Sequence, residues 1–532
     1  MSTRRRRATP PEIRALGVAA MIATTLAAVG AQTTPGARCE ALAGLTLQNT
    51  SVTAAQPVTA GSFTPPGSTN PLGNLPPFCR VAGAIAPTAE SRILFETWLP
   101  LDGWNGKFAG VGNGGWAGVI SFPQLADQLR RGYAAASTNT GHEAAAGLEM
   151  ARFAFEKPEQ LVDFAWRAHH ETARTAKAIV EAFYAKPPQR SYFIGCSSGG
   201  YEGLMAAQRF PADYDGIVAG MPANNWTRLM AGDFDASLAT FKDGVNNLPN
   251  SALSLLHRAA IASCDAGDGV VDNVIDDPRR CTFDPGQLAC TPGRAPDTCL
   301  LPAQVDAARR IYGGLKDPKT GAQLYPGLVP GSEPFWPNRD PSFPFPIPIA
   351  HYKWLVFGDP AWDWKSFDFR DPADFQAHQK AEAKLAPLMN ATNPDLSAYR
   401  ARGGKLLQYH GWNDQLITPL NSIDYYESVL AFFGKGRDRE AALKDVQSFY
   451  RLFMAPGMAH CGGGTGPNQF DMQAALEQWV ESGAAPDRIA ATRSINGVVD
   501  RGRPLCPFPQ RAVYKGTGDT NDAASFECRA DR

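Results

Sequence analysis

Arg190-Ser-Tyr-Phe-Ile-Gly195-Cys196-Ser197-Ser198-Gly199-Gly200-Tyr201 decides how the chain is read. Residues 191–195 form a short apolar run suited to a buried strand, and residues 199–209 carry a helical pattern. Between them, Gly195-Cys196-Ser197-Ser198-Gly199 matches G-x-S-x-G. A tight strand-to-helix turn holds such a serine in strained backbone geometry with its hydroxyl exposed, and glycines on either side let neighbouring backbone approach. The same turn puts the Ser198 N–H at a helix N-terminus, where it can donate to a developing oxyanion.

Outward from this turn, residues 93–98 and 107–112 read as strands, 162–184 as a long helix and 216–219 as a further strand. A strand at 405–409, a helix near 420–433, a strand at 448–454 and a helix at 472–482 resume the pattern. Strands alternating with helices imply a mostly parallel sheet, here an α/β-hydrolase core. Residues 225–399 differ: Pro, Gly and aromatics accumulate and four cysteines fall between 264 and 299. The expectation is a large inserted lid domain at 225–399, with the catalytic core split into 32–224 and 400–532. The stretch up to Pro77 reads as loop-rich, with Cys39 and Cys79 at its ends joined by one bridge.

Composition narrows the function classes. Lys plus Arg total 51 against 52 Asp plus Glu in 532 residues, so no net field holds nucleic acid or an anionic membrane, and a small molecule is the expected partner. Arg4 to Arg7, an apolar run over 15–31 and the small residues Val29-Gly30-Ala31 read as a signal peptide spanning 1–31. The run is short for a membrane span, so a secreted or periplasmic protein without stable membrane insertion after cleavage is expected. The ten cysteines suit five disulfides in an oxidising compartment, and no C-x2-4-C pair supports zinc.

A serine nucleophile needs a histidine base oriented by a carboxylate, in the chain order Ser, Asp or Glu, His. His257, His351, His378, His410 and His460 follow Ser197. His460 lies in the glycine-rich loop Ala455-Pro-Gly-Met-Ala-His460-Cys461-Gly-Gly-Gly464 after a strand, whereas His410 ends a strand directly and is read as bracing its loop. Leu406-Leu-Gln-Tyr-His-Gly-Trp-Asn-Asp414-Gln-Leu-Ile-Thr-Pro419 supplies the acid, Asp414, whose rival role is helix capping. Cys196 precedes Ser197 and Cys461 follows His460, so a Cys196–Cys461 disulfide would staple nucleophile to base. The second oxyanion donor falls in Gly110-Val-Gly-Asn-Gly114-Gly115-Trp116, at Gly114 or Gly115. That spacing fits neither a dinucleotide nor a Walker phosphate loop.

Cys-Ser in the elbow paired with His-Cys at the base, with the Asp between, resembles the tannase and feruloyl esterase family, which includes mono(2-hydroxyethyl) terephthalate hydrolase. The likeness runs from about Cys39 to Cys528. It implies the catalytic set Ser197, Asp414 and His460, and the further bridges Cys39–Cys79, Cys264–Cys281, Cys290–Cys299 and Cys506–Cys528. It also implies a structural Ca2+ in the lid, held by the side chains of Asp265, Asp268 and Asp272 and the carbonyls of Val270 and Val274, with Asp276 or Asp277 as a further ligand. The spacing departs from an EF-hand. Esters of ferulate, gallate or terephthalate are the implied substrates. Eleven Phe, Trp or Tyr residues between Phe335 and Phe369 suggest flat aromatic surfaces over the triad, although most of them taken singly are read as lid core, with Arg370 and Lys365 as candidate partners of a carboxylate or phenol. The competing functions are a peptidase or amidase on the same fold and a non-catalytic phenolic-binding protein; the oligomeric state is not encoded in any feature read above.

Overall fold

Apolar residues on both faces of successive strands demand helices above and below them, and the computed structural model has that arrangement. It describes residues 34–241, 247–295, 298–336 and 344–530; the export signal expected over 1–31 lies outside them. One nine-stranded sheet is built from β1 (Thr50–Val58), β2 (Phe78–Ile85), β3 (Ile93–Pro100), β4 (Lys107–Val111), β5 (Ala134–Thr138), β6 (Arg190–Cys196), β7 (Gly216–Gly220), β8 (Lys405–Gly411) and β9 (Tyr450–Ala455), in spatial order β1-β2-β3-β5-β4-β6-β7-β8-β9. The strands from β5 to β9 along that order are parallel, and β1, β2 and β3 pair antiparallel at one side.

The principal helices are α1 (Phe122–Arg130), α2 (Ala168–Tyr184), α3 (Ser198–Arg209), α4 (Trp226–Phe241), α5 (Asn250–Cys264), α6 (Pro302–Gly313), α7 (Pro372–Met389), α8 (Pro419–Phe433), α9 (Arg439–Gln447) and α10 (Met472–Ser482). Leu476 and Trp479 of α10 bury against Tyr192, Val218, Leu407 and Phe453 on one face of the sheet. The opposite face packs on α2, α3 and α8 through Ile179, Leu204 and Val429. The helix expected over 162–184 is α2 extended backwards by a π turn, Asp163–Arg167, and a short helix, Pro158–Val162.

One sequence expectation needs correction. The N-terminal stretch is not merely loop: β1 lies within it, an edge strand whose Thr50-Ser-Val-Thr-Ala-Ala-Gln-Pro57-Val58 is too polar to stand out as a buried strand. Pro57 fits because an edge strand can spare one N–H. The aromatics between Phe335 and Phe369 mostly face inward. Tyr352, Phe367 and Phe369 pack around Phe234 of α4 at ring-centroid distances of 4.6, 5.2 and 6.0 Å, so they build the interior of the segment instead of a surface over the triad.

The chain leaves the sheet after β7 and returns at β8, with α4 to α7 and one small hairpin, Leu315–Lys316 with Gln323–Tyr325, in between. All ten cysteines are paired, as Cys39–Cys79, Cys196–Cys461, Cys264–Cys281, Cys290–Cys299 and Cys506–Cys528. Among the described residues no helix is long and apolar enough to cross a membrane.

Candidate active site

β6 ends at Cys196 and α3 starts at Ser198, so Ser197 alone carries the change of direction. Its φ of 65° and ψ of −123° are strained for a residue with a side chain. Glycine makes the turn possible: a Cβ on Gly195 would lie 2.4 Å from the Gly199 carbonyl carbon, and one on Gly200 would lie 2.2 Å from Gly220 O. The Ser197 N–H donates to Gly220 O at 2.9 Å, and its carbonyl accepts from Ala223 N at 3.2 Å.

Asp414 and His460 follow the neighbouring parallel strands β8 and β9. Because β8 and β9 align Gly411 with Ala455, their loops leave the same edge of the sheet. They are then joined by backbone bonds, Trp412 N–H to Ala455 O and Asn413 N–H to Met458 O, each 2.9 Å. This docking sets His460 Nδ1 2.8 Å and 3.0 Å from the two oxygens of Asp414. The Asp414 side chain is fully buried, and its Oδ1 also accepts the N–H groups of Leu416 and Ile417 at 2.9 and 3.0 Å.

His410 grips the same carboxylate from the other side. Its Nε2 is 3.1 Å from Asp414 Oδ2 and 2.9 Å from Ile417 O, while its Nδ1 faces Ser422 Oγ at 2.7 Å. The Gln408 amide donates to that hydroxyl at 2.6 Å, so Ser422 turns its own proton to Nδ1 and the His410 proton sits on Nε2, toward Asp414. Burial pushes the Asp414 carboxyl upward, but the charge of His460 and hydrogen bonds from His410 and His460 outweigh it and hold Asp414 well below the usual carboxylate range. Burial likewise pushes His460 down, and the charge and hydrogen bond of Asp414 outweigh it, leaving His460 above its ordinary value.

Ser197 and His460 line one cavity of about 540 Å³. The Cys196–Cys461 bridge, with Cα atoms 6.0 Å apart, ties their loops together. Ser198, Gly114 and Gly115 border the same cavity. The glycine loop is fixed from behind: Glu202 of α3, a buried acid, accepts the Asn113 N–H at 2.9 Å and lies 3.0 Å from His169 Nε2. Ser198 Oγ donates to Gly115 O at 2.6 Å. The Asn113 amide is engaged, whereas the N–H groups of Gly114 and Gly115 have no acceptor among the described residues.

The cavity walls are largely apolar, with Trp226, Leu229 and Met230 of α4, Phe345, Ile347 and Tyr409. Of the described aromatics between Phe335 and Phe369, Phe345 lines it; the aromatic wall comes chiefly from Trp226 and Tyr409. Arg370 and Lys365 do not border it. Arg370 is exposed and paired with Asp368 at 2.9 Å, and Lys365 is exposed too, because the turn carrying them faces outward. The acidic loop lies after α5, closed by Cys264–Cys281. Asp265 accepts the N–H groups of Asp272, Asn273 and Val274 at 2.9 to 3.3 Å, Asp268 accepts that of Val270 at 2.9 Å, and Asp272 Oδ2 pairs with Arg503 at 2.6 Å.

A serine in a strained strand-to-helix turn, with a histidine–carboxylate pair at the ends of neighbouring parallel strands, defines an α/β-hydrolase. The family model for "Tannase and feruloyl esterase" matches residues 79–338 and 349–529, and the chain belongs to that family. An uncharacterized esterase of Xanthomonas campestris pv. campestris is 38% identical, over 95% of this chain and 94% of its own. A probable feruloyl esterase B-2 of Aspergillus terreus is 34% identical over 85% of this chain and 86% of its own. The crystal structure of feruloyl esterase B from Aspergillus oryzae superposes with a TM-score of 0.84 at 30% identity, covering 93% of this chain and all of that one. The protein is a carboxylic ester hydrolase.

Sequence reasoning did not reach Glu202 behind the Asn113–Gly115 loop, or the α4 wall. The signal for the second was present as apolar residues at 226, 229 and 230, one helical face, but which face turns to the cavity is a tertiary fact.

Proposed function

We propose that the protein hydrolyses esters of aromatic, phenolic carboxylic acids, such as feruloyl, galloyl or terephthalate monoesters, through an acyl-enzyme. The observation that carries this is His460, held from behind by Asp414, bordering the same aromatic-walled cavity as Ser197 and the unpaired glycine amides. His460 Nε2 takes the Ser197 proton as Oγ attacks the ester carbonyl; Asp414 keeps the other nitrogen protonated and steadies the imidazolium. The N–H of Ser198 and that of Gly114 or Gly115 receive the tetrahedral oxyanion. His460 then gives its proton to the departing alcohol, and water, deprotonated by the same nitrogen, releases the acid. The test is a panel of methyl ferulate, methyl gallate, mono(2-hydroxyethyl) terephthalate, an aliphatic p-nitrophenyl ester and a peptide p-nitroanilide. Turnover of an aromatic ester well above the aliphatic one is expected; cleavage of the anilide alone would favour an amidase and sink the esterase reading of this site.

The 225–399 segment is proposed as a lid, because α4 contributes one wall of the cavity. Its acidic loop is proposed to hold Ca2+ through Asp265, Asp268, Asp272 and the carbonyls of Val270 and Val274. The donor chemistry fits: every ligand is a hard oxygen, and the three carboxylates fall in one loop after α5. Burial first, then the charges of Asp272 and Asp265, push the Asp268 carboxyl up, countered by the Val270 N–H and Arg503. The ion would supply structural charge balance there and no chemistry at Ser197. Chelation by EGTA is expected to lower the melting temperature by a few degrees, at about 1 °C per kcal/mol lost in a chain of this length, and added Ca2+ should restore it; an unchanged melting curve would remove the ion from the proposal. Export is proposed from the 1–31 signal and the five bridges.

A further inference from the structure

One wall of the active-site cavity is apolar but for a single acid at its end. Along α4, Trp226, Leu229, Met230 and Asp233 line it at positions i, i+3, i+4 and i+7, a single helical face. The stripe is about 10 Å long at 1.5 Å per residue. Its Trp226 end belongs to the catalytic side, since that ring packs edge-on against Trp116 of the oxyanion loop at 4.8 Å and lies 5.7 Å from Tyr201 of α3. Its Asp233 end opens into a narrow recess of about 30 Å³, and Asp233 and Phe345 border both spaces.

Two polar groups meet in that recess without partners. The Asp233 carboxyl has no ion pair and no hydrogen-bond donor among the described residues. The nearby cation, Arg310, is already committed in two bonds to Asp235, at 2.6 and 2.9 Å. Tyr325 is 2% exposed, and its hydroxyl has no hydrogen-bond partner. The ring lies directly on the backbone beside Asp233: a Cβ on Gly232 would come 2.6 Å from Tyr325 Cδ1. Burial, and then the charge of Asp414, push the Asp233 carboxyl well above its usual range, which leaves it able to donate as well as accept. A partly exposed acid without a partner at the cavity wall, beside a buried hydroxyl without one, is a place that a ligand can complete. The missing group must both donate and accept, and it must sit at the far end of an apolar slot that begins at the nucleophile.

We infer that Asp233 and Tyr325 bind the ring hydroxyl of the acyl group and so select hydroxylated aromatic acids over their unsubstituted analogues. The inference rests on the aromatic-esterase reading above. An extended phenylpropenoyl chain, with its carbonyl at Ser197 and its ring between Trp226 and Phe345, carries a para hydroxyl toward the recess. The two side chains are specificity determinants; neither touches the reacting carbonyl.

The experiment compares kcat/KM for methyl 4-hydroxycinnamate and methyl cinnamate, which share a leaving group and differ only in the ring hydroxyl. The wild type should favour the hydroxylated ester. Asp233→Asn and Tyr325→Phe should each lower the ratio of the two values by about tenfold or more, as expected when a buried hydrogen-bonding group loses its match. A ratio is read because a general loss of fold or of catalysis moves both substrates together. If Asp233→Asn does not fold, Tyr325→Phe, which removes one oxygen, carries the same test. A wild-type ratio at or below one, or ratios in the variants within twofold of the wild type, would overturn the inference and leave the esterase reading standing. Silence of the wild type on both cinnamates, with turnover of p-nitrophenyl acetate, would bring down the aromatic reading and this inference with it.

Discussion

Ser197→Ala is expected to reduce kcat on any ester by on the order of 10⁴- to 10⁶-fold, leaving only the rate that the oxyanion amides and the cavity provide. The prediction is sharp because the turn, not the side chain, sets the local backbone. The Ser197 N–H and C=O are already bonded to Gly220 and Ala223, and the positive φ is fixed by the packing of Gly195 and Gly200. Alanine can take the same strained conformation at similar cost, so the variant should fold, keep its melting temperature within a few degrees and still bind the product acid. Single-turnover hydrolysis and calorimetric binding of the free acid separate the two outcomes. Residual activity within tenfold of wild type would move the nucleophile elsewhere and remove the central element of the mechanism.

Asp414→Asn should cost about 10⁴-fold in kcat, the scale expected when the orienting carboxylate becomes an amide. Asp414 accepts from two imidazoles and two backbone amides at once. An Asn amide has one oxygen, which the Leu416 and Ile417 N–H groups claim; its nitrogen then donates toward His460 Nδ1. That forces the His460 proton onto Nε2, where it blocks transfer from Ser197. The pH profile gives an independent reading. In the wild type, Asp414 outweighs burial and keeps His460 above its ordinary value, so the acid limb of kcat/KM should have its midpoint above about 6.5. In Asp414→Asn only burial remains, and the midpoint should fall below that value. A limb that moves upward or stays fixed would contradict the electrostatic role. Stability follows the opposite signs for the two partners: the depressed Asp414 loses its contribution as pH falls through its folded pKa, and the raised His460 loses its own as pH rises through its folded pKa.

Much of the frame was legible because the relevant signals are local. An apolar run, a glycine-flanked serine and a helical pattern sit side by side in 190–209, and the structure places Ser197 between β6 and α3. Cys196 beside Ser197 and Cys461 beside His460 made their bridge legible, since a nucleophile and its base must lie within reach of each other. What stayed hidden depends on direction instead of pattern. The Phe335 to Phe369 aromatics have the composition of a binding surface, yet Phe234 draws Tyr352, Phe367 and Phe369 inward. Arg370 had the right chemistry and the wrong exposure. β1 was missed because an edge strand needs little hydrophobic alternation. Asp233 was unreadable for a related reason: an acid in an amphipathic helix reads as solvent-facing until the cavity on that side is known.

The Cys196–Cys461 bridge spans 265 positions of sequence, and every residue from α4 to α7 falls inside that loop. A protease that nicks the helical segment would therefore cut the polypeptide without releasing a fragment: the two halves of the sheet, one bearing the serine and the other the histidine, stay covalently joined at the point where they must act together. Such a break is a change of covalent connectivity that leaves the reacting groups in register.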